Sequence, residues 1–118
     1  MAEGLPKAPA GLKASGRALW KAVLSDYVLD QHELTILREA ARTADTCDAL
    51  QALVDDEGLT APSSQGVRAH PALVELRQQR VTFARLLTAL RIPAGEVEDG
   101  RSQARGGPRG VYGLKGVS

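Results

Sequence analysis

Eight basic side chains lie in two stretches that hold almost no acid. Lys7, Lys13, Arg17 and Lys21 are near the start, and Arg101, Arg105, Arg109 and Lys115 near the end. Lysine and arginine in such surroundings suit contacts with a phosphate backbone, and an assembly presenting many copies strengthens them. The same charges also serve as ordinary solubilising surface, so both readings stand at this point. Nothing among them points to base-specific readout.

Other chemistry is hard to find. The chain has no G-x-x-x-x-G-K-[ST] phosphate loop, no C-x-x-C, no H-E-x-x-H and no Gly-x-Ser-x-Gly elbow. Its two histidines are far apart in sequence and do not suggest a metal site. The expectation is a protein that is not an enzyme and needs no cofactor or metal. His32 reads as a solvated residue in the first turn of a helix rather than a ligand. His70, just before Pro71, reads as a helix-start residue rather than a pH switch. Cys47 reads as a small buried hydrophobe, since nothing nearby in sequence would make a thiolate. Trp20 reads as core, with an interface anchor as the alternative.

Charge is segregated along the 118 residues although the net is only +1. Residues 1–25 carry four bases and one acid, residues 26–57 nine acids and two bases, and residues 58–93 five bases and one acid. In the tail, 94–118, four bases accompany three acids, all at or before Asp99. The acidic middle is either a solvated face or the partner of the basic segment after it, within one chain or between neighbouring chains.

These groups must be positioned by helices. Ser15 is a good N-cap for a first helix over 15–25, whose apolar stripe is Leu19, Trp20, Val23 and Leu24. Asp30 and Glu33 form a capping box for a second helix over 31–57, free of Pro and Gly and ended by Gly58. Leu34, Leu37, Ala41, Ala44, Leu50, Leu53 and Val54 mark its apolar side. Residues 58–69 read as a polar loop. Pro71 opens a third helix over 71–92, ended by Pro93. Leu73, Leu76, Phe83, Leu87 and Leu90 occupy a coiled-coil-like heptad frame with Arg80 as its polar member. They are expected to face helix two, while Val74, Val81 and Leu86 widen the stripe toward a neighbouring subunit.

The expected fold is all-α: a short N-terminal helix, a long antiparallel helical hairpin and a flexible, glycine-rich C-terminal tail. Residues 1–11 form a flexible arm, 12–93 a helical oligomerisation domain, and 94–118 a flexible basic tail. Roughly 80 ordered residues make a lone core marginal, and oligomerisation is a common remedy. The single cysteine excludes an intrachain disulfide. No apolar run is long enough to span a membrane and no signal-peptide h-region precedes the helices, so a soluble, cytoplasmic protein is expected.

The order of these pieces resembles a known family. A Trp-bearing helix (SGRALWKAVL) leads into YVLDQHELTILREA; a Gly-containing loop closes with HPALVELRQQR; the last helix ends in LLTALRIP. Over about residues 12–93 this is similar to the short, hairpin-centred small terminase subunits of tailed double-stranded DNA phages. The resemblance implies a ring-forming, non-catalytic DNA-packaging adaptor in the host cytoplasm. Such a subunit binds viral double-stranded DNA and recruits and modulates the large terminase subunit, which holds the ATPase and nuclease. Many small terminases carry a separate helix-turn-helix domain; one short helix here leaves no room for it. Composition and resemblance together make Val111, Tyr112 and Leu114 candidate contacts for the large subunit. The alternative is a helical-hairpin interaction adaptor or antitoxin-like regulator without a DNA role.

Overall fold

A computed structural model describes residues 5–92. Within them, α1 (Ala14–Asp26), α2 (Gln31–Glu57), β1 (Thr60–Ser63), β2 (Gly66–Ala69) and α3 (Pro71–Ala89) follow in order. The expected all-α fold is corrected to a mostly helical one with a small two-stranded sheet. The antiparallel helical hairpin stands, made of α2 and α3.

Helix α2 starts on the expected capping box. The Asp30 carboxylate accepts from the Glu33 N–H at 3.2 Å, and the Glu33 carboxylate accepts from the Asp30 N–H at 3.0 Å. The helix runs 27 residues, roughly 40 Å at 1.5 Å per residue. Gly58 ends it at φ +93, a backbone angle that side-chain-bearing residues rarely adopt.

The segment expected as a loop is a β-hairpin turning at Ser64-Gln65, with Thr60 opposite Ala69 and Ser63 opposite Gly66. The Ser63 hydroxyl pins the turn, accepting from the Gln65 N–H and donating to the Gly66 carbonyl. Beyond the strands, His70 N–H donates to Leu59 C=O at 2.8 Å. Antiparallel alternation then makes Pro62–Val67 a non-hydrogen-bonded pair, so the proline nitrogen points away from β2 and no ladder bond is lost. Both strands are almost wholly exposed, so no burial alternation marks them in the sequence.

Helix α3 opens with Pro71 in its first turn and His70 as N-cap, as read. The His70 Nδ1 accepts from the Ala72 N–H at 2.9 Å, which leaves the proton on Nε2, 2.6 Å from Glu57 at the end of α2. The expected end at residue 92 is corrected to Ala89. Arg91 turns left-handed (φ +62), its N–H donates to Thr88 C=O, and the Ile92 N–H reaches Leu87 C=O. This Schellman cap tucks Ile92 into the core before Pro93 is reached.

Helix α1 does not begin as the sequence suggests. Its N-cap is Lys13, which makes no side-chain cap, and Ser15 instead donates its hydroxyl to Asp48 on α2. The cap comes from Asp45, also on α2, whose two oxygens accept the Lys13 and Gly16 N–H groups, each at 2.7 Å. The first turn of α1 is thereby fixed beside the middle of α2, and α1 runs back along the N-terminal half of that helix. Gly16 permits the approach, because a Cβ there would lie 2.7 Å from the Ala41 carbonyl oxygen and closer still to Asp45. Gly16→Ala is therefore expected to lower stability by about 1–3 kcal/mol, read as a lower urea midpoint at unchanged m-value.

The core sits where three helices meet. Leu19, Trp20, Val23 and Leu24 of α1 pack with Leu37, Ala40 and Ala41 of α2 and with Leu87, Leu90 and Ile92. Residues 5–12, most of them expected as a free arm, join this end: Leu12 is buried, Ala8 packs on the cluster, and Trp20 Nε1 donates to Pro6 C=O at 3.2 Å. At the other end of the hairpin only α2 and α3 remain, and Val54, Ala72 and Leu76 are its buried apolar residues. Of the expected packing positions, Leu37, Ala41, Leu76, Leu87 and Leu90 are buried, while Leu34, Leu50, Leu73, Phe83 and Leu86 are half-buried. Leu86 departs from its expected place beside Val74 and Val81, because it packs on the three-helix core.

Candidate nucleic-acid interface

Lys13, Arg17 and Lys21 recur at four-residue steps, so α1 carries them on one face, and all three are exposed. The Arg17 guanidinium donates to the Leu12 carbonyl, which holds its side chain against the start of the helix. Lys7 is exposed nearby in sequence. Among the described residues the ion pairs are His32–Asp30, Arg38–Glu39, Arg42–Glu39 and His70–Glu57. None of them engages a base of α1, so the three exposed cations have no ion-pair partner among the described residues. Arg101, Arg105, Arg109 and Lys115, and the candidate contacts Val111, Tyr112 and Leu114, lie outside the described residues.

Arg42 is a neighbour that sequence reasoning missed. With Lys13, Gly11, Asp45 and Thr46 it lines a shallow depression of about 330 Å³ where α1 begins. No local spacing announces it, since α1 and α2 meet here only through the long-range cap at Asp45. That cap also neutralises part of the positive helix end and occupies the Lys13 and Gly16 N–H groups.

A second groove, of about 420 Å³, opens between the three helices and is lined by Ser15, Leu19, Cys47, Gln51, Arg80 and Phe83. Burial pushes the Cys47 thiol above its ordinary value, outweighing the opposite pull of Arg80, and Asp48 adds to the rise. Cys47 is half-buried rather than buried as expected, and its raised thiol stays protonated at neutral pH. Arg80 donates to the Gln51 side-chain carbonyl at 2.7 Å. Asp30, His32 and Glu33 also gather polar atoms: one oxygen of each carboxylate serves the capping box, and His32 Nδ1 lies 2.8 Å from Asp30 Oδ1.

No family model, curated protein or solved structure matches the chain significantly. Inference therefore rests on the chain's own residues. Among the described residues no helix is long and apolar enough to cross a membrane.

The acidic run of α2 is divided in use. Asp45 and Asp48 serve α1, Asp55 accepts from Gln51 at 2.9 Å, and Glu57 meets His70. Of the roles left open for this run, pairing with basic α3 inside one hairpin is not seen, because no arginine of α3 reaches a described carboxylate. Arg77 and Arg85 are exposed and lack such a partner.

Proposed function

We propose that this chain is a non-catalytic DNA-packaging adaptor of the small-terminase type: it self-assembles, binds viral double-stranded DNA, and presents it to a large terminase subunit in the host cytoplasm. The hairpin is the scaffold and the basic face of α1 the DNA contact. The observation that carries the reading is the exposed Lys13–Arg17–Lys21 stripe, without an ion-pair partner among the described residues and fixed to the hairpin by Asp45. Three cations on one helix face match a phosphate backbone and supply affinity without reading bases. Repeating that stripe around an assembly multiplies the contacts through effective concentration. The basic residues of the tail add to the same role, and Val111, Tyr112 and Leu114 supply the apolar contact with the large subunit.

Titration of labelled duplex DNA with the full chain tests the proposal. Binding to unrelated duplexes is expected with similar affinity, and log Kobs should fall linearly with log salt concentration. Absence of duplex binding at 50 mM salt would leave the interaction-adaptor reading in its place.

A further inference from the structure

We propose that copies of this chain join side by side in the same orientation, the outer edge of α3 in one copy meeting the outer edge of α2 in the next. This rests on the self-assembly in the proposed function and names the surface that performs it. Val74, Arg77, Val81 and Arg85 follow one another at three- and four-residue steps, so they share one face of α3. That face points away from α2, since Ala72, Leu76 and Leu87 are the residues α3 buries. Val74 and Val81 are 46 % and 49 % exposed, an apolar pair flanked by two arginines without described acidic partners.

The outer edge of α2 is the complement. Leu53 is 43 % exposed, and Ala49 and Asp56 lie one turn to either side of it. Asp56 is exposed and supplies the acid of this edge, whereas Asp55 lies across the helix from Leu53 and accepts from Gln51. Helix α1 leaves this stretch uncovered, because it runs from Asp45 and Asp48 toward the start of α2.

Height along the hairpin decides the orientation. Within one chain Arg80 meets Gln51 and His70 meets Glu57, so residues 51–57 of α2 are level with residues 70–80 of α3. A second copy displaced sideways without inversion therefore sets Leu53 and Asp56 beside Val74, Arg77 and Val81. A copy turned end for end in the plane of the hairpin would set α3 against α3 or α2 against α2, base facing base or acid facing acid. The contact joins two different surfaces, so each copy keeps one of each free for the next, and the series closes into a ring when the rotation permits. Opposite potentials on the two edges also reject the wrong register.

Charge exchange tests the interface. Two variants of the full chain are needed, R77E and D56K, both positions being exposed and outside the core. Native mass spectrometry is expected to show an oligomer for the parent, a monomer for each variant alone, and recovery of species larger than a dimer when the variants are mixed in equal amounts. Helical circular dichroism should be unchanged throughout. An oligomer of parental size from either variant alone, or a mixture that stays monomeric, would overturn the assignment while leaving self-assembly intact. A monomeric parent would instead remove self-assembly itself.

Discussion

Replacing Lys13, Arg17 and Lys21 together by glutamine is expected to remove most of the duplex-DNA affinity at low salt while leaving the fold in place. Each cation that neutralises a phosphate contributes about 0.9 to the slope of log Kobs against log salt. Three lost contacts per chain should therefore flatten that slope by roughly 2.7 for every copy engaged on the duplex. The reason to expect a separable effect is structural. The Lys13 backbone, not its side chain, enters the Asp45 cap, and the Lys21 side chain is exposed. Glutamine at position 17 keeps an amide donor for the Leu12 carbonyl now met by the arginine. An unchanged slope with unchanged affinity would move the DNA contact off α1.

Leu37→Ala should produce the largest loss of stability of any single truncation, about 3 kcal/mol within a range of 2–5. Leu37 is fully buried in the three-helix cluster, so neighbours from α1 and α3 hold the cavity open on both sides. The same truncation at Leu50, half-buried at the two-helix end, should cost markedly less because solvent reaches the site. Thermal unfolding at one fixed protein concentration checks both, with Tm falling roughly 4–8 °C for each kcal/mol in a domain of this size. Equal losses at the two sites would contradict the placement of the core at one end of the hairpin.

What the sequence showed and what it concealed divide along the range of the interactions. The Asp30–Glu33 box and Pro71 act within one helical turn, and both helices start where those residues put them. The start of α1 was misplaced because Ser15 looks like a cap, whereas the carboxylate that caps it is Asp45, on another helix. The β-hairpin was hidden by Pro62, Ser63 and Ser64, residues that normally mark loops, in strands too exposed to alternate. The heptad frame of α3 placed Leu76, Leu87 and Leu90 correctly, but periodicity alone could not say where a third helix would cover them. At the candidate site, the basic stripe on α1 was visible as composition. Its single face, the nearby Arg42 and the missing carboxylates emerge only once α1 is docked on α2.

That docking also sharpens the role of charge. The sequence offered intrachain neutralisation of α2 by α3, and the hairpin spends its acids elsewhere: on the α1 cap, on Gln51 and on His70. Under the proposed function Arg77 and Arg85 of α3 serve other chains and the exposed bases of α1 serve DNA, so impairing one is expected to leave the other.

The mass of the full-length protein in solution tests the central claim most directly. Native mass spectrometry across a hundredfold range of protein concentration should give one closed oligomer well above a dimer, with no ladder of larger species. A monomer at every concentration, or a dimer that grows no further, would contradict the account.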